Sequence, residues 1–372
     1  MPPTTLEGRL ITPDHCFDNA QLTLDAAGVI TAVEEIPGQG ENYLIPGFVD
    51  LHNHGGNAGA FPTGTTADCQ RAAKFHRSHG TTTLLASLVS ATGDEMAYQV
   101  QRLAPLVDEG LIAGIHLEGP FINPGLCGAQ NPEKIMPGNP EVFARVIDAS
   151  GGNVRSITFA PETDNAFELL QLCAQHNVIA SLGHAAASFD ETTAVIERAV
   201  ELGVTVTATH LFNAMPPVHH RDPATAGALI AAARKGLAHL EIIGDGVHLA
   251  DGTVDMLMNT GNAYGFAVTD AMEAAGLDDG AYILGSLPVT VAGGVARLTT
   301  TTGTPGAIAG GTTTLREQFL RFAARHTAAE AVAYTSTNAA RVLGGPPALV
   351  GNPANLVCLA PNGTVVSVHD YR

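Results

Sequence analysis

The sequence predicts an α/β protein, a closed (β/α)8, TIM-like barrel with a small β-sandwich domain formed by both termini. Three observations predict it. Between residues 48 and 271, eight short apolar runs alternate with segments of helical periodicity. Strand-like segments of one character both precede residue 46 and close the chain. Histidines and carboxylates recur at the ends of the central strands, the end of such a barrel that carries active sites. An open doubly wound sheet is the alternative, and the lack of a GxGxxG after the first strand counts against it.

Residues 5–45 read as strands GRLITP, AQLTLD and GVITAVEEI, separated at Asp14–His15 and Ala27–Gly28. The barrel strands then follow as FVDLHNH (48–54), TTTLLASL (81–88), LIAGIHLEG (111–119), SITFAPE (156–162), VIASLGH (178–184), VTVTATHL (204–211), LEIIGDGVH (240–248) and YGFAVTDA (264–271). Helical spacing marks TADCQRAAKFHRSHG, DEMAYQVQRLAPLVDEG, NAFELLQLCAQH and SFDETTAVIERAVELG between them. Beyond residue 272 come a hairpin-like AYILGSLPVTVAGGVARLTT, helices at 312–325 and 328–342, and the strands NLVCLAP and GTVVSVH. The expected division is a small domain from 1–46 with 343–372, and a barrel from 47–342.

Composition narrows the function classes. Of 372 residues, 36 are acidic and 18 basic, a formal charge of −18, which argues against a nucleic-acid partner because phosphates need a basic surface. The start MPPTTLEGRLITPD lacks a basic region followed by an apolar one, and no apolar run could span a bilayer. The expectation is a cytoplasmic protein without membrane association. The five cysteines are scattered, with no CxxC pair, so neither a disulfide framework nor a thiolate metal site is expected.

In IPGFVDLHNHGG, His52 and His54 end an apolar strand two residues apart, so both rings face the same way. The third strand ends at Glu118, the fifth at His184, the sixth at His210, the seventh at His248 and the eighth at Asp270. Imidazole and carboxylate ends converging on one barrel face suit zinc or another divalent first-row metal. For Asp270 the alternative is a helix cap before AMEAAG. His116, two before Glu118, reads as a core histidine, and Cys127 as a loop thiol.

LIPGFVDLHNHGG, GIHLEGPFI, SLGHA, THLFNAMPP, GDGVH and VTDAMEAAG together resemble the amidohydrolase superfamily, and within it the N-acetylglucosamine-6-phosphate deacetylases. The resemblance covers nearly the whole chain. It implies metal-dependent hydrolysis of an N-acetylated sugar phosphate to the amine and acetate. The alternative is a cyclic amidase or deaminase of the same superfamily. By position, Glu118, His184 and His210 would hold the main metal. His52 and His54 would support a second, with Glu118 bridging and Asp270 contributing. The cofactor is thus one or two divalent metals per subunit, zinc first, with iron, manganese or cobalt as alternatives. Binuclear relatives often bridge through a carboxylated lysine, but Lys74, Lys134 and Lys235 all fall away from strand ends.

Asp270 is the expected base, taking a proton from water and returning one to the departing amine. The resemblance implies substrate contacts at Ala129, Gln130, Asn213, Ala214, His248, Ile308, Ala309 and Gly310. Relatives often have histidine where Gln130 stands, which implies weaker electrophilic help from that position. His219, His220 and Arg221 in HHRDP offer cations for the phosphate, Arg being shaped for bidentate contact. The resemblance also implies a homodimer with the phosphate pocket shared across its interface.

Overall fold

Eight parallel strands close into a barrel in this computed structural model, which describes all residues except 1–3, 13–14, 261–263, 303, 346–348 and 372. The strands are Phe48–Asn53, Thr81–Leu88, Gly114–Glu118, Val154–Phe159, Ile179–Leu182, Val206–Ala208, His239–Ile242 and Gly265–Ala267, each beside the next. Each lies within or overlaps the run read from the sequence. The seam between last and first is sewn by backbone bonds, Asp270 N to His52 O at 2.9 Å and His54 N to Ala271 O at 2.7 Å. Beneath it, buried Asp50 accepts the Thr269 hydroxyl at 2.6 Å, the Thr269 amide at 3.1 Å and the Asn53 side chain at 3.0 Å.

The strands are buried on both faces, as parallel sheets require. Ile115 and Leu117 join the core under the helices, whereas His116 and Glu118 alternate into the barrel, where Ser87, Thr158, Ser181, Thr207 and Glu241 also point. His116 is indeed a core histidine. Its ring nitrogens meet Ser87 Oγ and Thr158 Oγ1, both at 2.9 Å, leaving neither for a ligand.

The four expected helices are Thr66–Ser78, Gly93–Asp108, Ala166–His176 and Phe189–Glu201. Thr65 with Asp68, Thr92 with Glu95, and Ser188 with Glu191 start three of them with reciprocal capping boxes. Pro140–Ala149, Ala224–Arg234 and Asp251–Thr260 add three more around the barrel. The later helical stretch runs Leu315–Ala323 and then Ala328–Val342, with one π turn at Ala333–Thr337. Among the described residues no helix is long and apolar enough to cross a membrane.

Two sheets flank the barrel. Both termini pair in one six-stranded sheet, ordered Val365–Asp370, Asn355–Leu359, Tyr43–Pro46, Thr4–Ile11, Cys16–Leu24, Ile30–Glu35. Its Leu10, Ala20, Leu22, Leu24, Leu44 and Leu356 share a core of their own, so the sheet curls over its apolar face. Part of the turn expected at Asp14–His15 lies outside the described residues. The segment read as a hairpin has one strand more: Gly280–Leu284, Leu287–Ala292 and Val295–Leu298 form an antiparallel meander. Leu284, Val289, Val291 and Ala296 pack on Val89, Met272 and Ala274 at the barrel mouth, which makes the meander a cap.

Candidate metal centre and active site

Glu118 ends the third strand, and the chain turns at once through Gly119, at φ +85°, where a Cβ would stand 2.2 Å from Ser90 Oγ. This glycine of HLEGP is therefore dictated by both conformation and space. His184, His210 and Asp270 lie just past their strands with φ of +49°, +28° and +49°. Left-handed backbone costs a residue with a Cβ about 1–2 kcal/mol. Three strained non-glycine residues at one mouth mark a place where geometry has been kept at the expense of local comfort.

Their side chains converge. Glu118 Oε1 is 2.9 Å from His184 Nε2 and 3.0 Å from His210 Nε2, and these two nitrogens are 3.1 Å apart. Glu118 Oε2 faces the other pair, 3.1 Å from His54 Nε2 and 3.6 Å from His52 Nε2, themselves 3.1 Å apart. Asp270 Oδ1 lies 3.2 Å from His54 Nε2 and 3.4 Å from His52 Nε2. One carboxylate thus stands between two histidine pairs, with the second carboxylate on the His52–His54 side.

This donor set fits a metal. His54 Nδ1 meets Ser87 O at 3.1 Å and His184 Nδ1 meets Leu126 O at 2.9 Å, both obligate acceptors. Those contacts place the ring proton on Nδ1 and turn the Nε2 lone pair inward. Each of these two Nε2 atoms faces a second histidine nitrogen at 3.1 Å and a Glu118 oxygen, a cluster of donor atoms that a cation would hold together. Both triads, His52–His54–Glu118 and Glu118–His184–His210, keep their ligand atoms within 4.8 Å of one another.

The electrostatics agree. Burial opposes charge on His52 and His54, yet the adjacent Asp270 and Glu118 carboxylates hold both above the usual histidine range. Burial would raise the two acids, but the histidines outweigh it and hold Glu118 well below the usual carboxylate range and Asp270 at about 2. Asp270 caps no helix, since it is followed by a β-bridge at Ala271 and a turn at residues 273–276.

The centre opens into a cavity of about 220 Å³ lined by His54, Glu118, Ala129, Gln130, His184, His210, Asn213, Ala214, His248, Asp270, Ile308 and Gly310, with Leu284 of the cap. Most of the expected contact residues are therefore brought together, with some differences. The seventh strand ends at Ile242, so His248 is a loop residue, fixed by Asp245 Oδ2 at 2.8 Å from its Nδ1. Burial would raise the Asp245 carboxyl, but the His248 side chain first, and then the His248 and Val247 amides it accepts, hold it below the usual range. Ala309 is fully buried in the cap core and its amide bonds Ala296 O, so its side chain faces away from the cavity. His219, His220 and Arg221 are exposed on a turn closed by the His219–Asp222 bridge and do not line the cavity. The Asn213 amide is used by His210 O, whereas that of Ala214, at φ +52°, has no partner among the described residues. Lys74, Lys134 and Lys235 sit in or just after helical segments, and none of them lines the cavity.

Glu241 went unread in the sequence, and the structure places it under the histidines. The available signal was an acidic residue inside a strand otherwise read as buried.

Comparison with known proteins gives the same answer. The chain is 31% identical over 348 residues to the N-acetylglucosamine-6-phosphate deacetylase of Bacillus subtilis (strain 168), covering 90% of this chain and 84% of that one. It is 30% identical over 347 residues to the N-acetylgalactosamine-6-phosphate deacetylase of Escherichia coli O157:H7, covering 90% and 88%. Among solved structures, a mutant N-acetyl-D-glucosamine-6-phosphate deacetylase from Mycobacterium smegmatis, in complex with N-acetyl-D-glucosamine-6-phosphate, is similar at 36% identity and a TM-score of 0.91, over 99% of this chain and 98% of that one. The model of the amidohydrolase family matches residues 43–368, and with the barrel and its histidine–carboxylate mouth this establishes that the chain belongs to the amidohydrolase family.

Proposed function

We propose that the protein hydrolyses the acetamide of N-acetyl-D-glucosamine 6-phosphate, releasing D-glucosamine 6-phosphate and acetate. The observation that carries this reading is Glu118 standing between two histidine pairs, with Asp270 at the same cavity. The Bacillus and Mycobacterium relatives, similar over nearly all of the chain, supply the substrate. No lysine lines the cavity to bridge metals, which disfavours a cyclic amidase of the carboxylated-lysine kind.

In this reading Glu118, His184 and His210 hold one divalent metal, and His52, His54 and Glu118 a second with Asp270 beside it. Such a metal supplies Lewis acidity that polarises the acyl carbonyl and makes water acidic enough to attack near neutral pH. Zinc comes first for this donor set, with iron, manganese or cobalt as alternatives. Asp270 takes the proton from the attacking water and delivers one to the departing amine, which would otherwise be a poor leaving group. Gln130, Asn213, Ala214, His248, Ile308 and Gly310 orient the sugar, and the unpartnered Ala214 amide offers a donor to it. His219, His220 and Arg221 are assigned to the phosphate in a homodimer that shares the pocket across its interface.

The test is acetate release from N-acetylglucosamine 6-phosphate, with the unphosphorylated sugar beside it and metal per chain measured on the same sample. The expected outcome is release that needs the phosphate and stops on chelation. No release from fully metallated protein would overturn the substrate. The Escherichia coli relative favours N-acetylgalactosamine 6-phosphate as a second reading, so that epimer belongs in the same assay. A higher kcat/KM for it would exchange the two.

A further inference from the structure

Glu241 is a buried acid, 3% exposed, inside the barrel with no lysine or arginine among its contacts. Burying a carboxyl without such a partner is costly unless donors surround it. They do. Its Oε2 lies 3.4 Å from His52 Nδ1 and accepts the His210 amide at 3.1 Å. Its Oε1 is reached by the hydroxyls of Ser181 at 3.3 Å and Thr207 at 3.4 Å. Ser181 is held in turn by Thr209 at 2.6 Å, and Thr209 by Thr158 at 2.9 Å, so the acid is anchored in a hydrogen-bonded floor and has little freedom to turn away.

We propose that Glu241 is a positioning residue that fixes the Nδ1–H tautomer of His52, and so decides whether the His52–His54 position can hold a metal. A histidine presents a lone pair on Nε2 only when its proton is on Nδ1. His54 and His184 are fixed in that form by the carbonyls of Ser87 and Leu126; His52 has Glu241 for the same purpose. The same oxygen accepts the His210 amide at the strained φ of +28°, so one atom serves a histidine from each pair. The inference rests on the reading of the His52–His54 pair as a metal site and on no assumption about the sugar.

The experiment is titration of chelator-stripped protein with Zn²⁺ against a competing chelator, for the wild-type chain, Glu241→Met and Glu241→Gln, with melting of each metal-free protein. Methionine fills a similar volume without an acceptor; glutamine keeps a neutral oxygen that can face His52. E241M is expected to weaken the second zinc by about 10- to 100-fold, the range for loss of a partner behind a ligand, and the first by a smaller factor, since there only the His210 amide loses its acceptor. E241Q is expected to recover most of that loss and remain about three- to tenfold weaker than wild type, a neutral acceptor being the weaker one. A space-filling role alone would leave both zinc affinities unchanged in E241M. Two zincs bound by E241M as tightly as by wild type overturn the proposal; should E241M not fold, wild-type affinity in E241Q does so. A wild-type chain that takes up only one zinc overturns the reading of the histidine pair and the inference together.

Discussion

The side chain of Gln130 donates to Glu118 Oε2 at 2.5 Å and accepts the Ser90 amide at 2.7 Å. It therefore ties the central carboxylate to the loop that follows the second strand, and it is buried while doing so. Glutamine here braces the ligand in addition to lining the cavity. Gln130→Ala would free one Glu118 oxygen and orphan the Ser90 amide. The expected result is at least about a tenfold loss in kcat with weaker metal retention, checked by steady-state kinetics and metal analysis on one preparation.

Asp270→Asn tests the acid–base assignment separately from metal binding. Removing a general acid–base group costs about 10²–10⁴ in rate. Turnover should fall by that factor while the Glu118–His184–His210 position still holds metal. Near-normal kcat in metallated D270N would refute the role.

The barrel seam depends on Asp50, which accepts three bonds from Thr269 and Asn53. Asp50→Ala takes the acceptor from the buried Thr269 amide and hydroxyl, while Asn53 keeps Thr269 Oγ1 and His76, and it opens a small void. A loss of about 2–4 kcal/mol in unfolding free energy is expected, read from urea denaturation of the metal-free protein. A change below about 1 kcal/mol would mean that backbone bonds alone hold the seam.

One pH effect follows from the helix start at Glu95. Lys134, first, and then the Thr92 amide and hydroxyl hold its carboxyl at about 2, below its ordinary 4.5. A depressed acid contributes stability above its unfolded pKa and loses it as pH falls through the folded one, here between about 4.5 and 2. Because the side chain is 46% exposed, the Lys134 pair itself contributes no more than about 0.5 kcal/mol. Glu95→Gln should lower the urea midpoint slightly at pH 7, and the gap from wild type should narrow below about pH 4.5 and close only near pH 2.

Much of the site was legible because strands place alternate residues on one face and barrels place strand ends together. His52, His54 and Glu118 could be read that way directly. His184, His210 and Asp270 were found for a less exact reason: they lie past the strand ends, carried inward by left-handed turns that apolar periodicity does not encode. His248 shows the limit of that reasoning, since an apolar-looking IIGDGVH runs on as a loop held by Asp245. Glu241 escaped because its importance lies in what faces it from another strand, and pairing across a barrel is a tertiary fact. AYILGSLPVTVAGGVARLTT reads as a hairpin, whereas Gly293 and Gly294, both at positive φ, make a second turn that adds a third strand to the cap.

The order in which the small sheet is assembled sets a condition on biosynthesis. Tyr43–Pro46 sits in the middle of that sheet, with Thr4–Ile11 on one side and Asn355–Leu359 on the other. On the ribosome the first neighbour is made early and the second only after the whole barrel. Throughout that interval the edge of Tyr43–Pro46 has unpaired backbone groups and bare apolar surface, the kind of edge that recruits strands from other chains. The sheet is thus complete only once Asn355–Leu359 has been made and has folded back onto that edge.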